Sequence, residues 1–153
     1  MKRKAETIKV EDKLTLELVD RKTGKVVKRV EKHNAVGEGG AGALLLLISG
    51  KAANPVALTN WKYFYLFRPD KSLIKVLEGS FTTPQSLAGY YSTVFTAEDT
   101  TTDEYTTEYQ GLVQYPDLTL LTQMYLWQRQ SLTKTADYIL RVRWEIRIPY
   151  TRP

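Results

Sequence analysis

Residues 138–148 read YILRVRWEIRI, and this stretch decides the class of fold. Every second residue is apolar, and the residues between them are charged except at Ile139. Strict alternation over eleven residues is the period of a strand with one buried and one exposed face. The apolar face comprises Tyr138, Leu140, Val142, Trp144, Ile146 and Ile148. The stretch therefore predicts a long strand that packs one face on a hydrophobic core.

The N-terminal part of the chain predicts a pair of strands. Leu14, Leu16 and Leu18 alternate with polar residues in KLTLELVD, and KVVKRVEKH follows at residues 25–33. Between these segments, DRKTG supplies turn residues, so the pattern predicts an antiparallel hairpin. The charged residues 1–12 are predicted to form a flexible arm or an edge segment, and residues 13–153 a single β-rich domain.

The middle of the chain favours further strands. WKYFYLF, residues 61–67, is aromatic on both faces, as in a strand that is covered on both sides or lies at a subunit contact. SLIKVLEGSF, residues 72–81, favours another strand. Residues 88–114 are rich in Thr and Tyr and predict two antiparallel strands joined by an exposed acidic loop, EDTTTDE. Residues 118–135 fit either a helix or a strand.

One helix is expected among these strands. AGALLLLISG, residues 41–50, contains good helix formers, and Gly50 can end the helix. A helix that is apolar on nearly every side must be buried, so we expect a short buried helix near residues 40–49. The elements together predict a mainly β protein. Its fold is an antiparallel β-sandwich or barrel, jelly-roll or immunoglobulin-like, with that one helix.

The composition excludes several classes of catalytic and metal site. The chain of 153 residues has no cysteine and a single histidine, His33. Disulfides, thiolate catalysis, Cys-ligated metals and paired-His metal sites are thereby excluded, as are Ser-His-Asp triads built elsewhere in the chain. The apolar run 41–48 is far shorter than the ~20 residues of a membrane-spanning helix, and no secretory signal is expected. We expect a soluble, non-enzymatic protein without cofactor or metal.

The glycines before the expected helix resemble a cofactor motif. Gly37, Gly39 and Gly42 have the G-x-G-x-x-G spacing of a dinucleotide-binding turn. That turn needs a βαβ unit and an acidic residue ~20 positions on, and residues 50–69 contain neither Asp nor Glu. A phosphate-binding loop at residues 49–51 fails on spacing as well. We interpret the glycines as a joint between hairpin and helix.

The acidic loop offers four carboxylates that could bind calcium. They belong to Glu98, Asp99, Asp103 and Glu104. The segment lacks the glycine and the terminal glutamate of a calcium-binding loop, so a solvated loop is the preferred interpretation.

The formal charge of +5 leaves nucleic acid open as a partner. Arg141, Arg143 and Arg147 lie on the polar face of the last predicted strand, and Tyr125 and Trp127 could lie near them. Such a basic aromatic surface could bind single-stranded nucleic acid. Alternating charges on a strand more commonly form cross-strand ion pairs or protect a sheet edge.

The order of these elements resembles small virion structural proteins of tailed phages and related prokaryotic viruses. In those proteins a hairpin ending in HN-x-V precedes a short helix, and the chain closes with a K-T-x-x-x-x-L-x-V-x-W-x-I strand. The matching residues here are His33, Asn34, Val36, Lys134, Thr135, Leu140, Val142, Trp144 and Ile146. In the middle, where such proteins often carry a glycine-rich strand, this chain has the aromatic WKYFYLFRP.

The resemblance implies a non-enzymatic building block of the virion, made in the host cytoplasm. Its partners would be itself, as a homo-oligomer, and other virion proteins of the head, neck, tail or fibre. Large aromatic side chains dominate interface energetics, so we expect contacts at Trp61, Tyr63, Tyr65, Tyr90 and Tyr91. The alternative is that these aromatics fill the core of the monomer.

Overall fold

The computed structural model describes residues 10–35, 38–54 and 58–150, and only the backbone of residues 34, 35, 38 and 39. Within these residues the chain forms ten strands and one α-helix. In order they are β1 (Glu11–Asp20), β2 (Val26–Ala35), α1 (Glu38–Ser49), β3 (Tyr63–Phe67), β4 (Leu73–Glu78), β5 (Ser80–Phe81), β6 (Gln85–Leu87), β7 (Tyr90–Asp99), β8 (Tyr105–Val113), β9 (Leu126–Lys134) and β10 (Tyr138–Pro149).

The alternating stretch at the end of the chain forms β10, a central strand of the larger sheet. This sheet A has the order β2-β1-β10-β7-β5, and β6 also pairs with β7. The first and last strands lie side by side, in register from Glu11 opposite Arg147 to Asp20 opposite Tyr138. Trp144 is completely buried while Arg143 beside it is exposed, which confirms the two-faced strand.

The second sheet covers the apolar face of the first. Sheet B has the order β4-β3-β8-β9, and all pairings in both sheets are antiparallel. The core between the sheets comprises Leu14, Leu16, Leu18, Phe64, Leu66, Leu77, Phe95, Ala97, Leu112, Leu126, Leu132, Leu140, Val142 and Trp144. The rings of Phe64 and Trp144 meet edge to face across it, 6.0 Å between centroids. The described residues form a sandwich with no closed barrel, so the sandwich alternative is confirmed.

The strands predicted within residues 88–114 exist, but they do not pair with each other. β7 pairs with β10 in sheet A, and β8 pairs with β3 and β9 in sheet B. The acidic loop between them crosses from one sheet to the other. The local pattern of Thr and Tyr marks both segments as strands, but it carries no information about their partners, which come from distant parts of the chain.

β3 is covered on both faces by its own chain, one of the two alternatives that its sequence left open. Phe64 and Leu66 point into the core, whereas Tyr65 and Phe67 belong to a second buried cluster with Val113 and Met124. Met124 precedes β9 and packs over Gly111 of β8, where a Cβ atom would overlap its side chain. A glycine is thus required where the covering segment crosses the outer face of sheet B.

The remaining segments agree largely with the sequence. The N-terminal hairpin is confirmed, and in its turn the Asp20 carboxylate accepts hydrogen bonds from the N–H groups of Lys22 and Thr23. Residues 118–135 contain a 3₁₀ turn (Leu121–Gln123) and β9. β1 begins at Glu11, so the last two positions of the predicted arm belong to a strand; residues 1–9 lie outside the described residues.

Candidate assembly surface

Helix α1 crosses one open end of the sandwich, between the end of β2 in sheet A and the start of β3 in sheet B. Leu44 and Leu47 face a cleft of about 460 Å³ beneath the helix, together with Trp61, Leu126 and Ile146. None of the fifteen described residues that line this cleft is charged. We call α1 and the residues lining this cleft the helix end of the molecule. The residues that line the cleft can therefore contact apolar groups.

The outer face of α1 is apolar and exposed. Leu45 is 67% exposed and Ile48 is 81% exposed, while Ala43 on the inner face is buried. No charged residue occurs between Gly39 and Gly50. Exposed helix faces in soluble proteins normally carry charged or polar side chains. The outer face of α1 therefore has the composition of a buried surface.

Among the described residues the helix is buried on one side only, so the expectation of a buried helix is wrong for its outer face. The helix exists where the sequence predicts it, but it contacts its own sandwich on the side of Ala43, Leu44 and Leu47 only. A single helix laid across an open end can bury one face at most. The run already lacks a polar face in the sequence, but the sequence alone does not say what covers it.

The five aromatics predicted at contacts occupy different environments. Trp61 is half-buried against the main core and donates from Nε1 to the carbonyl of Leu58 at 2.7 Å. Tyr63 is half-buried beside the second cluster. Tyr90 is half-buried and stacks under the guanidinium of Arg147. The structure therefore does not bring these side chains together on one surface.

Tyr65 and Tyr91 are the two extremes of that set. Tyr65 is fully buried, and its hydroxyl donates to the carbonyl of Tyr115 and accepts from the N–H of Leu118. Burial raises the pKa of this phenol. Tyr91 is 53% exposed and lies opposite Ile148, which lines the cleft of the helix end. Tyr91 alone of the five presents most of its side chain to solvent.

The arginines on the outer face of sheet A are paired with acids. Arg141 contacts Glu98 of β7 at 3.3 Å, and Arg147 contacts Glu11 of β1 at 3.7 Å. Arg143 lies 3.7 Å from Glu145 of the same strand. Two of the three are cross-strand pairs, as alternating charges on a strand predict. The pairing cancels the positive charge that a phosphate backbone would recognise.

The aromatic part of the nucleic-acid hypothesis is wrong in its geometry. Trp127 lies on β9 with its side chain on the outer face of sheet B, while the arginines occupy the outer face of sheet A. Tyr125 packs at the second cluster on the same side as Trp127. Arginines and aromatics are thus on opposite faces of the sandwich, and they form no common surface.

The glycine motif lies in a setting unlike that of a dinucleotide site. α1 connects strands of two different sheets, and the described strands contain no parallel βαβ unit. Gly42 faces open space, while Gly37 and the neighbouring Val36 of the HN-x-V phrase lie outside the described residues. His33 is exposed on β2, opposite Lys13. The local structure agrees with a joint between hairpin and helix.

The acidic loop lies at the opposite end of the sandwich, and it is not simply solvated. Asp99 is 1% exposed and accepts hydrogen bonds from the hydroxyls of Thr101 and Tyr105, each at 2.6 Å. Lys75 Nζ lies 3.1 Å from the Asp99 carboxylate and 2.7 Å from that of Asp103. The expectation of a solvated loop is therefore wrong for Asp99, which an internal charge network holds, whereas Glu98, Asp103 and Glu104 are exposed.

The electrostatics of this network follow from burial and hydrogen bonding. Burial alone would raise the pKa of the Asp99 carboxyl, but the hydrogen bonds from Thr101, Tyr105 and Lys75 lower it to about 2. Burial and the adjacent Asp99 raise the pKa of the Tyr105 phenol. Burial lowers the pKa of the Lys134 ammonium. Asp99 remains ionised and Tyr105 neutral at physiological pH.

Two further cations tie the surrounding turns to this network. The guanidinium of Arg21 donates to the carbonyls of Thr100, Thr101, Ala136 and Tyr138 at 2.7 to 3.2 Å. Lys134 Nζ donates to the carbonyls of Thr101 and Asp103. Three connections, β1–β2, β7–β8 and β9–β10, are thereby joined. We call Arg21, Lys75, Asp99, Tyr105 and Lys134 the clamp end.

Neither end presents a metal-binding constellation. Among the described residues no group of three or more His, Asp or Glu side chains is placed to hold a metal ion. No helix within the described ranges has the length and hydropathy to cross a bilayer. The helix end is therefore the candidate site, because it combines an apolar cleft with an exposed apolar face. Comparisons with protein-family models, with curated proteins and with solved structures find no match to this chain, so its function is argued from this geometry.

Proposed function

We propose that this protein is a non-enzymatic virion structural protein that self-associates or docks on a capsid or tail lattice. The observation that carries the proposal is helix α1, which has no charged residue between Gly39 and Gly50 and leaves Leu45, Leu46 and Ile48 exposed. The virion assignment draws on the resemblance of the hairpin and of the last strand to phage structural proteins. Its partners are further copies of itself and other virion proteins.

The energetics of the exposed helix favour assembly. Complete burial of a Leu or Ile side chain is worth about 1.5–3 kcal/mol relative to leaving it in water. Leu45 and Ile48 keep most of that free energy unrealised in the single chain. Covering the outer face of α1 with another protein would recover it. The contact needs no charged groups along residues 39–50, where the sequence has none.

The hydrogen-bonded connections of the clamp end also support the proposal, because they make that end of the sandwich rigid. A subunit of a lattice has to keep its conformation when it binds its neighbours. Arg21 and Lys134 join three connections through bonds to backbone carbonyls, which do not depend on the side chains of those loops. This end is internally satisfied, and the apolar end is left for contact.

The proposal is tested by solution mass from light scattering after size exclusion, over a range of protein concentrations and at low and high salt. We expect a discrete oligomer, or growth into rings or tubes. The double variant Leu45→Glu/Ile48→Glu should remain monomeric, because four charges would have to be buried for two such helices to meet. Its far-UV circular dichroism should match the native protein, since both positions are exposed.

The matched control is Thr102→Glu, which adds a charge to an exposed position in the loop of the clamp end. It should assemble as the native chain does. A native protein that stays monomeric at every concentration and salt would exclude self-association. Salt-sensitive binding to single-stranded DNA that is weakened by Arg141→Ala would replace the proposal with the nucleic-acid alternative.

A further inference from the structure

We infer that β2 is a docking edge for an acidic, extended segment of another protein, which adds to sheet A as a further strand. β2 pairs with β1 on one side and with no described strand on the other. An edge strand presents backbone N–H and C=O groups that an extended peptide can pair by strand addition. The inference goes beyond the proposed function, because it names a second surface and does not depend on self-association through the helix end.

β2 is the longest edge strand of the two sheets. It has ten residues, whereas the edge strands β4, β5 and β6 have six, two and three. From Lys28 to Ala35 it stays in continuous register with β1, and the one irregularity lies nearer the turn. The edge at β9 is partly closed, because Lys32 Nζ donates to the carbonyl of Arg129 at 2.9 Å. β2 therefore offers the longest regular edge for a partner strand.

The side chains on the inner side of β2 define which partner strand fits. Lys28, Val30 and Lys32 lie opposite three core leucines of β1, so they share the face of sheet A that is turned toward sheet B. Val30 packs at the margin of the core, whereas Lys28 and Lys32 are exposed. Among the described residues neither lysine forms an ion pair with a carboxylate. The complementary strand has an acidic, an aliphatic and an acidic residue at alternate positions.

The outer side of β2 already has its ion pairs within the chain. Arg29 Nη2 lies 2.6 Å from the Glu17 carboxylate, and the Glu31 carboxylate lies 3.5 Å from Lys13 Nζ. Uncharged polar residues such as threonine therefore suit the partner positions beside Arg29 and Glu31. The recognised motif is acidic, polar, aliphatic, polar, acidic.

Charge argues against a second copy of this chain as the added strand. Residues 25–33 contain four Lys or Arg residues and one Glu. Antiparallel pairing of two β2 strands about Val30 would align the apolar residues, but it would place Lys28 of each copy opposite Lys32 of the other. Like charges directly opposite each other destabilise a strand pair. The sequence of this chain does not contain the recognised motif either, so the partner is a different protein.

Fluorescence anisotropy of a labelled peptide tests the inference. The peptide is Thr-Glu-Thr-Val-Thr-Glu-Thr with blocked ends, which has the motif in both chain directions. We expect this peptide to bind the full chain, and a peptide with Lys in place of both Glu residues not to bind. The variant Lys28→Glu/Lys32→Glu should weaken binding at least about tenfold, because two attractive contacts become repulsive. Its far-UV circular dichroism should match the native protein, since both positions are exposed.

The matched control is Lys51→Glu/Lys71→Glu, which changes the net charge equally at exposed positions outside β2. It should bind the acidic peptide as the native chain does. Two further peptides test strand addition itself, one methylated on the backbone nitrogens of the Glu and Val residues and the other on those of the Thr residues. Successive N–H groups of a strand point to opposite edges, and the partner uses one edge. One methylated peptide should therefore bind, and the other should not.

Three results would overturn the inference. They are equal losses of binding in Lys28→Glu/Lys32→Glu and in the control, equal binding of the two methylated peptides, and no binding of the acidic peptide by the native chain. Binding of oligothymidine that is weakened by Lys28→Glu/Lys32→Glu, without binding of the acidic peptide, would assign the lysines to nucleic acid instead. The proposed self-association is judged separately, from the solution mass of the native chain.

Discussion

The two ends of the sandwich satisfy their side chains in opposite ways. At the clamp end, Asp99 is buried, and Lys75, Tyr105 and Thr101 supply its hydrogen bonds from within the chain. At the helix end, the cleft has no charged residue among the part of its lining that the structure describes, and Leu45 and Ile48 on the outer face of α1 are exposed. Hydrogen-bonding groups need partners at defined distances and angles, whereas apolar surface can be covered by any surface that fits.

This difference separates what the monomer needs from what an assembly can add. A buried carboxylate without partners would cost several kcal/mol, so the clamp end must be complete before any neighbour arrives. Exposed leucine side chains destabilise the single chain less than an unpaired buried carboxylate does, so they can remain exposed until another protein binds. The comparison therefore assigns the stability of the single chain to the clamp end, and the proposed contacts to the helix end.

The largest expected effect is at the clamp end. Asp99→Ala removes the buried acceptor that the Lys75 ammonium and the Tyr105 hydroxyl share, although Lys75 keeps the Asp103 carboxylate at 2.7 Å. We expect the free energy of unfolding to fall by about 3 kcal/mol, the cost of losing hydrogen bonds to a buried charged group and of leaving the Tyr105 hydroxyl without its acceptor. Urea denaturation followed by tryptophan fluorescence measures it. The control is Glu98→Ala, which loses only an exposed ion pair with Arg141 and should change the free energy of unfolding little. Equal losses of stability in the two variants would contradict the assignment of stability to the buried network.

The second effect is a loss of stability in acid. The pKa of Asp99 is about 2 in the folded chain and ordinary when unfolded, so its contribution is complete above pH ~5 and disappears as the pH falls through ~4 to ~2. We expect Asp99 to account for about 2 kcal/mol of that loss, from a pKa difference of roughly two units. The test compares unfolding free energies of the native chain and Asp99→Asn at several pH values. Parallel curves would show that Asp99 does not contribute.

The smallest effect distinguishes the two faces of α1. Leu47→Ala removes a side chain that lines the cleft and should destabilise the monomer by about 1 kcal/mol, because the residue is only half-buried. Ile48→Ala, one position further on the exposed face, should change stability by less than about 0.5 kcal/mol. Thermal unfolding at a concentration where the protein is monomeric measures both. A larger loss of stability in Ile48→Ala would mean that Ile48, and not Leu47, faces the sandwich.

Some features of the molecule could be read from local patterns. The alternation in β1 and β10, the turn chemistry of the first hairpin and the helix formers of α1 each set a local conformation, and the structure agrees with them. Several short strands with turns between them predicted a sandwich or a barrel, and the structure is a sandwich. These features depend on neighbours one to four positions apart, which the sequence displays directly.

The candidate site could be predicted only in part. The uncharged run of α1 indicated a covered helix, but its sequence does not say whether the cover is the same chain or another. Tyr65 and Tyr91 look alike in the sequence, yet one is fully buried and the other mostly exposed. Their difference arises because the segment before β9 folds over β3, whereas Tyr91 packs against the ring of Tyr150 and stays 53% exposed.

The sequence by itself determined which segments are strands or helix and which face of each strand is apolar. Tertiary structure alone decided that β7 and β8 belong to different sheets, that Asp99 is buried beside Lys75, and that one face of α1 is left bare. The physical reason is that period and propensity act over a few residues. Burial, ion pairing and exposure depend on which distant segments the folded chain brings together.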